Sequence, residues 1–499
     1  MREAIWRLDA STAEYSDFVD IMKRNTPAVL TRFADLLPSF LPWQKDGRAN
    51  IDFLRREFGD MEVPVVECSS SQQAYGEERR ISMTLSEYLD AVHDGERPES
   101  TGASSSDSGG GTALYLKDWH FQRLRRDGKT CWPSGIAPLD VNGACLTSME
   151  TPFFFRDDWL NWWCDRQGQD DYRFVYIGPP GSFTGLHHDV LNSFSWSYNV
   201  CGSKLWTLFP TEATPDLYDR HGRDLARDVQ SGRADPDNFP RLDAAPRIEV
   251  LQGPGEAIFV PSGWHHQVVN AGDGSEGGGG LTISVNTNWF NGFNLDRVSA
   301  FLRSELFAVR AALDHLRDSM SEGPGASGRR DWERQCEVVM RANSSLNVTE
   351  FACLVMARAR HLLGNFLAAG PREGDSGAGV PHDSEQHRES GSGGGRGGAW
   401  QEERWTIFAL EQIRAVLRQL LVAPTADHVF LADDDSDGGD RGCHSHSSRA
   451  PNEDAASLGA GEVEDDRSGG GGGGGSSNGD ALRKTLDSVD AYLIGRCHL

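Results

Sequence analysis

The strongest pattern in the chain lies between residues 140 and 300, where short apolar runs alternate with turns rich in Gly and Pro. The runs are 173–178, 194–200, 204–210, 248–250, 257–261, 266–270 and 281–286. Many short strands separated by such turns predict a sandwich or barrel, in particular a double-stranded jelly roll. On either side the period lengthens. Residues 11–61 carry Phe18, Ile21, Met22, Val29, Leu30, Phe33 and Leu37 at near-helical spacing, which predicts helix broken at Pro27. Residues 63–68 and 114–119 predict strands, and 82–92 a helix. Beyond the barrel, 294–321, 331–368, 401–422 and 481–496 predict amphipathic helices. The predicted fold is therefore mainly β with flanking helices: a double-stranded β-helix followed by a C-terminal helical region.

Composition divides the chain further. The stretches 99–111, 270–280, 370–399 and 432–480 are dominated by Gly, Ser and acidic residues and cannot bury enough apolar surface to order themselves. They suggest five segments. Residues 1–113 form an N-terminal helical and strand region with one insert, and 114–300 the jelly roll. Residues 301–425 form a helical region carrying the 370–399 insert, 426–480 a low-complexity tail and 481–499 a short terminal helix. The Trp159, Trp162, Trp163 group suits packing. Cys443, His444 and His446 could bind metal but sit in the low-complexity tail.

Charge and cysteine usage exclude several functions. The net charge of −25 leaves no basic stripe for a phosphate backbone, so nucleic acid is not an expected partner. No run of about 18 apolar residues exists to span a membrane. Residues 1–10 lack the apolar core of a signal peptide. The nine cysteines are scattered, without a CxxC pair, which argues for a reducing compartment: the cytoplasm, with the nucleus as alternative.

The candidate chemistry lies in three places. Thr184-Gly185-Leu186-His187-His188-Asp189 leaves a turn and enters an expected strand, where alternate residues share a face. His187 and Asp189 would then point together, a pair suited to a divalent metal, although a His and an Asp beside a turn are ordinarily only solvated. Val260-Pro261-Ser262-Gly263-Trp264-His265-His266 follows, with His266 77 residues after Asp189. A turn there would return either His265 or His266 to the same end of the barrel. Two His and one Asp make the facial triad of non-haem Fe(II) oxygenases. The third place is Lys204, on a strand that sets Lys204, Trp206 and Leu208 on one face. An inward lysine is costly unless it meets an anion, and the distal carboxylate of 2-oxoglutarate is its natural partner. On an edge strand it would simply be solvated.

With these motifs in order, the sequence resembles the JmjC family of Fe(II)/2-oxoglutarate oxygenases. The matching segments are 178–189, 201–206 and 255–266, and a hydroxylase-like branch is favoured by 117–120, 170–176, 193–197, 199–202 and 288–295. The resemblance covers residues 10–365. It implies Fe(II) ligands His187, Asp189 and His266, which selects His266 over His265. It also implies Lys204 as the ligand of the 2-oxoglutarate C5 carboxylate, Thr184 as its helper, and Asn286 as a polar co-substrate contact. It further implies O2 as the second co-substrate, with 2-oxoglutarate decarboxylated as a C–H bond is hydroxylated. The branch implies a protein substrate, a lysyl residue of the translation termination factor hydroxylated at C4. For the helices after residue 300 it implies capping of the barrel or homodimerisation. Many histone demethylases of the family carry Asn where Ser197 stands, which weighs against the main rival, a lysine demethylase. The other rivals are an inactive JmjC scaffold and a zinc or manganese cupin.

Overall fold

The computed structural model describes residues 5–68, 79–94, 113–121, 151–168, 171–230, 234–272, 280–317, 327–368, 397–422 and 478–496. Most of the low-complexity stretches, with Cys131, Cys145, Cys443, His444, His446 and Cys497, lie outside these residues. The chain forms two compact units, 1–304 and 305–499, divided within a helix.

The first unit begins with β1 (Trp6–Asp9), α1 (Tyr15–Arg24) and β2 (Ala28–Thr31), then the two-residue strands β3 (Gln44–Lys45) and β4 (Arg48–Ala49) and helix α2 (Ile51–Phe58). Next come β5 (Glu62–Cys68), β6 (Arg80–Thr84), α3 (Leu85–Asp94), β7 (Ala113–Trp119) and α4 (Trp159–Gln167). The barrel proper comprises β8 (Arg173–Gly178), β9 (Phe183–His187), β10 (Phe194–Cys201), β11 (Ser203–Phe209), β12 (Ile248–Gln252), β13 (Ala257–Val260), β14 (His265–Gly272) and β15 (Thr282–Trp289).

Two sheets face each other. One has nine strands in the order β1-β2-β13-β10-β15-β8-β7-β5-β6, the other four in the order β12-β11-β14-β9. The pairing is antiparallel except between β1 and β2. This is the jelly roll the alternating runs predict.

The central strand β10 explains how such a barrel holds a polar interior. All eight of its residues are buried. Phe194, Trp196 and Tyr198 alternate with Ser195, Ser197 and Asn199, so one face is aromatic and the other small and polar. The aromatic face packs outward on an N-terminal layer. Trp196 stacks on Phe155 at 5.0 Å, Phe194 meets Phe259 at 5.1 Å, and Phe18 meets Phe155 at 5.3 Å. Aromatic contacts of this kind contribute about 1 kcal/mol each beyond the area they bury. The polar face looks between the sheets, where Ser195 bonds Asp189, Ser197 bonds Asn286, and Asn199 bonds the Gln252 carbonyl. Val29, Trp206, Leu208, Val250, Ile258, Val260, Trp264 and Val268 form a buried apolar cluster.

The N-terminal region departs from the helical expectation. Helix α1 stops at Arg24, and Asn25 caps it in the left-handed conformation, φ 52°. Ala28–Thr31 is then a strand, with Ala28 opposite Phe259 and Leu30 opposite Ala257. Two adjacent apolar residues fit either period, and the free edge of β13 decides for strand. Residues 34–43, with Pro38 and Pro42, form short 3-10 turns.

The second unit holds the end of α5 (Leu295–Leu313), then α6 (Ser327–Ser344), α7 (Val348–Ala368), α8 (Gly397–Val422) and α9 (Asn478–Arg496). The expected single helix over 331–368 is two, because Ser345 takes φ 62° between them. Leu354, Leu410, Ile413, Leu417, Leu482 and Val489 are fully or almost fully buried within this unit. Among the described residues no helix is long and apolar enough to cross a membrane. Cys164 and Cys336 are free thiols.

Candidate metal centre

His187 ends β9 and lies directly opposite His266 near the start of β14. Antiparallel pairing therefore brings the two imidazoles side by side, their centroids 4.3 Å apart. Asp189 lies just past the end of the hydrogen-bonded strand. The strand ends at His187, and Asp189 opens a short 3-10 turn, Val190–Asn192. Leu191 and Asn192 take φ 58° and 54°, a left-handed conformation that costs about 1–3 kcal/mol at a non-glycine position. Asp189 itself keeps an extended backbone, φ −65° and ψ 148°, so its carboxylate falls on the side of the His187 imidazole, and the bend follows it. His266 Nε2 is 4.0 Å from Asp189 Oδ2.

The tautomers follow from the hydrogen bonds. His187 Nδ1 lies 2.9 Å from the Gly185 carbonyl and His266 Nδ1 3.1 Å from the Trp264 carbonyl. A carbonyl only accepts, so each Nδ1 carries the proton and each Nε2 keeps its lone pair. Burial, and next the neighbouring His266, push His187 well below the ordinary histidine range. It stays neutral at physiological pH, the form a metal needs. Ligand atoms of His187, Asp189 and His266 all lie within 4.8 Å of one another, the one such group among the described residues. Two imidazole nitrogens and one carboxylate oxygen, without a thiolate, fit ferrous iron. His265 turns elsewhere, its Nδ1 3.3 Å from Thr214 Oγ1 and its ring edge-on to His188.

Lys204 faces the interior and is 2% exposed. Its Nζ donates to Ser284 Oγ at 2.5 Å and lies 5.5 Å from the Tyr176 ring centre. No carboxylate of the described residues pairs with it, and burial pushes its ammonium down to about 7. A buried cation in that state fits an anion supplied from outside. Thr184 sits three residues before His187 on β9, partly buried. Asn286 Oδ1 accepts from Ser197 Oγ at 2.8 Å. Along β14, His266 and Asn270 are the register partners of Leu208 and Lys204. Four residues of strand separate them, about 13 Å.

Sequence reasoning missed three contributors. The Tyr115 hydroxyl bonds Thr184 and Asn270. Ser195 Oγ and Asn288 Nδ2 each donate to Asp189. A Tyr, a Ser and an Asn in alternating strands look like any other strand residue, so only the register reveals them.

Comparison with known proteins agrees with this geometry. Residues 15–295 match the family of cupin-like domains, a span holding His187, Asp189, Lys204 and His266. The 2-oxoglutarate and iron-dependent oxygenase JMJD4 of Homo sapiens is 40% identical over 342 residues, 68% of this chain and 71% of the relative. The JMJD4 oxygenase of Danio rerio is 36% identical over 333 residues, 66% and 68% of the two chains. The chain belongs to the JmjC 2-oxoglutarate- and iron-dependent oxygenases. Its cofactor is Fe(II), and its co-substrates are 2-oxoglutarate and O2. A further JmjC relative, the arginine-specific demethylase JMJ20 of Arabidopsis thaliana, is 30% identical over 380 residues, 73% and 71% of the two chains.

Proposed function

We propose that this oxygenase is a protein lysyl hydroxylase, acting at C4 of a lysyl residue in the translation termination factor and therefore working in the cytoplasm. In this reading His187, Asp189 and His266 hold Fe(II), and Lys204 with Thr184 holds the C5 carboxylate of 2-oxoglutarate. When bound, the iron supplies the redox chemistry that couples decarboxylation of 2-oxoglutarate to hydroxylation of a C–H bond. The chain supplies position and dryness. The two Nδ1–carbonyl bonds fix both imidazole planes. Tyr176 and Trp206 wall the Lys204 ammonium at 5.5 and 5.9 Å. Ser197 spends its hydroxyl on Asn286, which keeps that amide oriented.

The observation that carries the reading is the joint placement of a His-Asp-His group and a buried ammonium with no carboxylate partner among the described residues. The choice of substrate draws support from the likeness to the JMJD4 oxygenases. The likeness to JMJ20, named an arginine-specific demethylase, favours a second reading: demethylation of protein arginine. Mass spectrometry of lysyl and methyl-arginyl peptides, the former from the termination factor, separates the two. The expected result is gain of one oxygen on the lysyl peptide, dependent on 2-oxoglutarate and lost in His187→Ala. Loss of a methyl group with release of formaldehyde would establish the second reading instead.

A further inference from the structure

We infer that Ser195 and Asn288 are positioning residues that together aim the Asp189 carboxylate at the metal, an inference that rests on reading His187, Asp189 and His266 as the iron ligands. Asp189 needs such help because it stands outside any strand, on a turn with two left-handed residues. Its two imidazole partners are fixed by sheet pairing, whereas its own backbone is not.

The help comes from the two strands at the middle of the large sheet. Ser195 on β10 and Asn288 on β15 are directly opposite each other in the register. Ser195 Oγ donates to Asp189 Oδ2 at 2.7 Å, and Asn288 Nδ2 donates to Oδ1 at 2.8 Å. One cross-strand pair thus grips both oxygens of one carboxylate. All three residues are buried. Asn288 is itself held: its Nδ2 also donates to Ser193 Oγ at 3.2 Å, and its carbonyl accepts from Asn161 Nδ2 on α4 at 2.9 Å. Its backbone N–H donates to the Tyr172 carbonyl at 2.9 Å.

The chemistry of the two donors matters as much as their placement. A carboxylate offers about four lone-pair directions. Ser195 and Asn288 take one on each oxygen, which fixes the plane and leaves the rest for a cation. Both donors are neutral, so the full negative charge stays available to the metal. An Arg or Lys in either place would compete with the iron for it.

The test is titration of the metal-free protein with Co(II), followed by visible absorption of the bound ion. Wild type, Ser195→Ala, Ser195→Thr, Asn288→Ala and Asp189→Ala are compared, each with its metal-free thermal midpoint. Ser195→Ala and Asn288→Ala are expected to weaken Co(II) binding by about 10–100-fold and to alter the absorption band. Ser195→Thr, which keeps the hydroxyl, restores both. Wild-type affinity and band in both alanine variants, with the site lost in Asp189→Ala, would overturn the inference alone. Wild-type affinity in Asp189→Ala as well would overturn the ligand assignment beneath it. If Asn288→Ala does not fold, the Ser195→Ala and Ser195→Thr pair decides, since a threonine that failed to restore binding would equally refute a role for the hydroxyl.

Discussion

At the scale of single residues, Lys204 has the most to lose by being where it is. Its ammonium is buried with one hydroxyl partner, and its folded-state pKa of about 7 lies below the ordinary 10.5. Below pH 7 both folded and unfolded chains carry the proton, and the whole burial cost is present. Between 7 and 10.5 only the unfolded chain carries it, so neutralising the amine makes the folded state progressively more stable. The full difference is on the order of 5 kcal/mol. Between pH 7 and 9.5 the thermal midpoint of the wild type should therefore climb roughly 5 °C more than that of Lys204→Met. Saturating 2-oxoglutarate should shrink that difference by giving the ammonium a carboxylate. A scan of midpoint against pH for both proteins checks this, and parallel curves would show that Lys204 is not the group being neutralised. In Lys204→Met, 2-oxoglutarate binding should fall at least tenfold while the metal-free protein gains stability at pH 7.

At the scale of elements, the site depends on a clamp far from it in sequence. Asn25, at the left-handed end of α1, exchanges two bonds with Ser262: its Nδ2 donates to the Ser262 carbonyl at 2.9 Å, and its Oδ1 accepts the Ser262 N–H at 3.0 Å. Its backbone carbonyl accepts from Trp264 Nε1 at 2.9 Å. Ser262 Oγ in turn donates to the Asn192 carbonyl. One asparagine thus joins the turn before His266 to the turn after Asp189. Asn25→Ala removes both side-chain bonds and puts a less suitable residue at φ 52°, so it should cost about 2–3 kcal/mol in urea unfolding. Asn25→Gly, which tolerates that conformation, should cost less than alanine. The same region shows where sequence reasoning stops. The strands carrying Lys204 and His266 were legible because strict alternation and Gly/Pro turns have few other interpretations. His187 and Asp189 point together as alternation predicts, although the hydrogen-bonded strand ends at His187 and Asp189 continues it only in backbone conformation. Ala28–Thr31 was misread because two apolar neighbours leave the period open until a partner strand settles it. Ser195, Asn288 and Tyr115 stayed hidden because their roles arise from register and contacts across strands, which no local pattern records.

At the scale of the whole molecule, charge is the property that the barrel does not explain. The chain carries 74 acidic against 49 basic residues, and about a third of the excess falls between Asp433 and Asp466. None of these tail residues belongs to the catalytic barrel by sequence. A net charge of −25 sets up a field that draws a basic polypeptide and weakens with salt, because screening shortens its reach to about 8–10 Å near physiological ionic strength. Its effect therefore belongs to encounter, not to chemistry. Deleting residues 426–476 should lower kcat/KM for a basic substrate protein about two- to threefold at low salt and leave kcat unchanged. The gap between the two proteins should close as salt is added. Measuring kcat and KM separately across a salt series decides the matter. A fall in kcat would mean that the tail acts on the barrel itself, and a salt-independent gap would mean that its contribution is contact with the substrate instead of attraction at a distance.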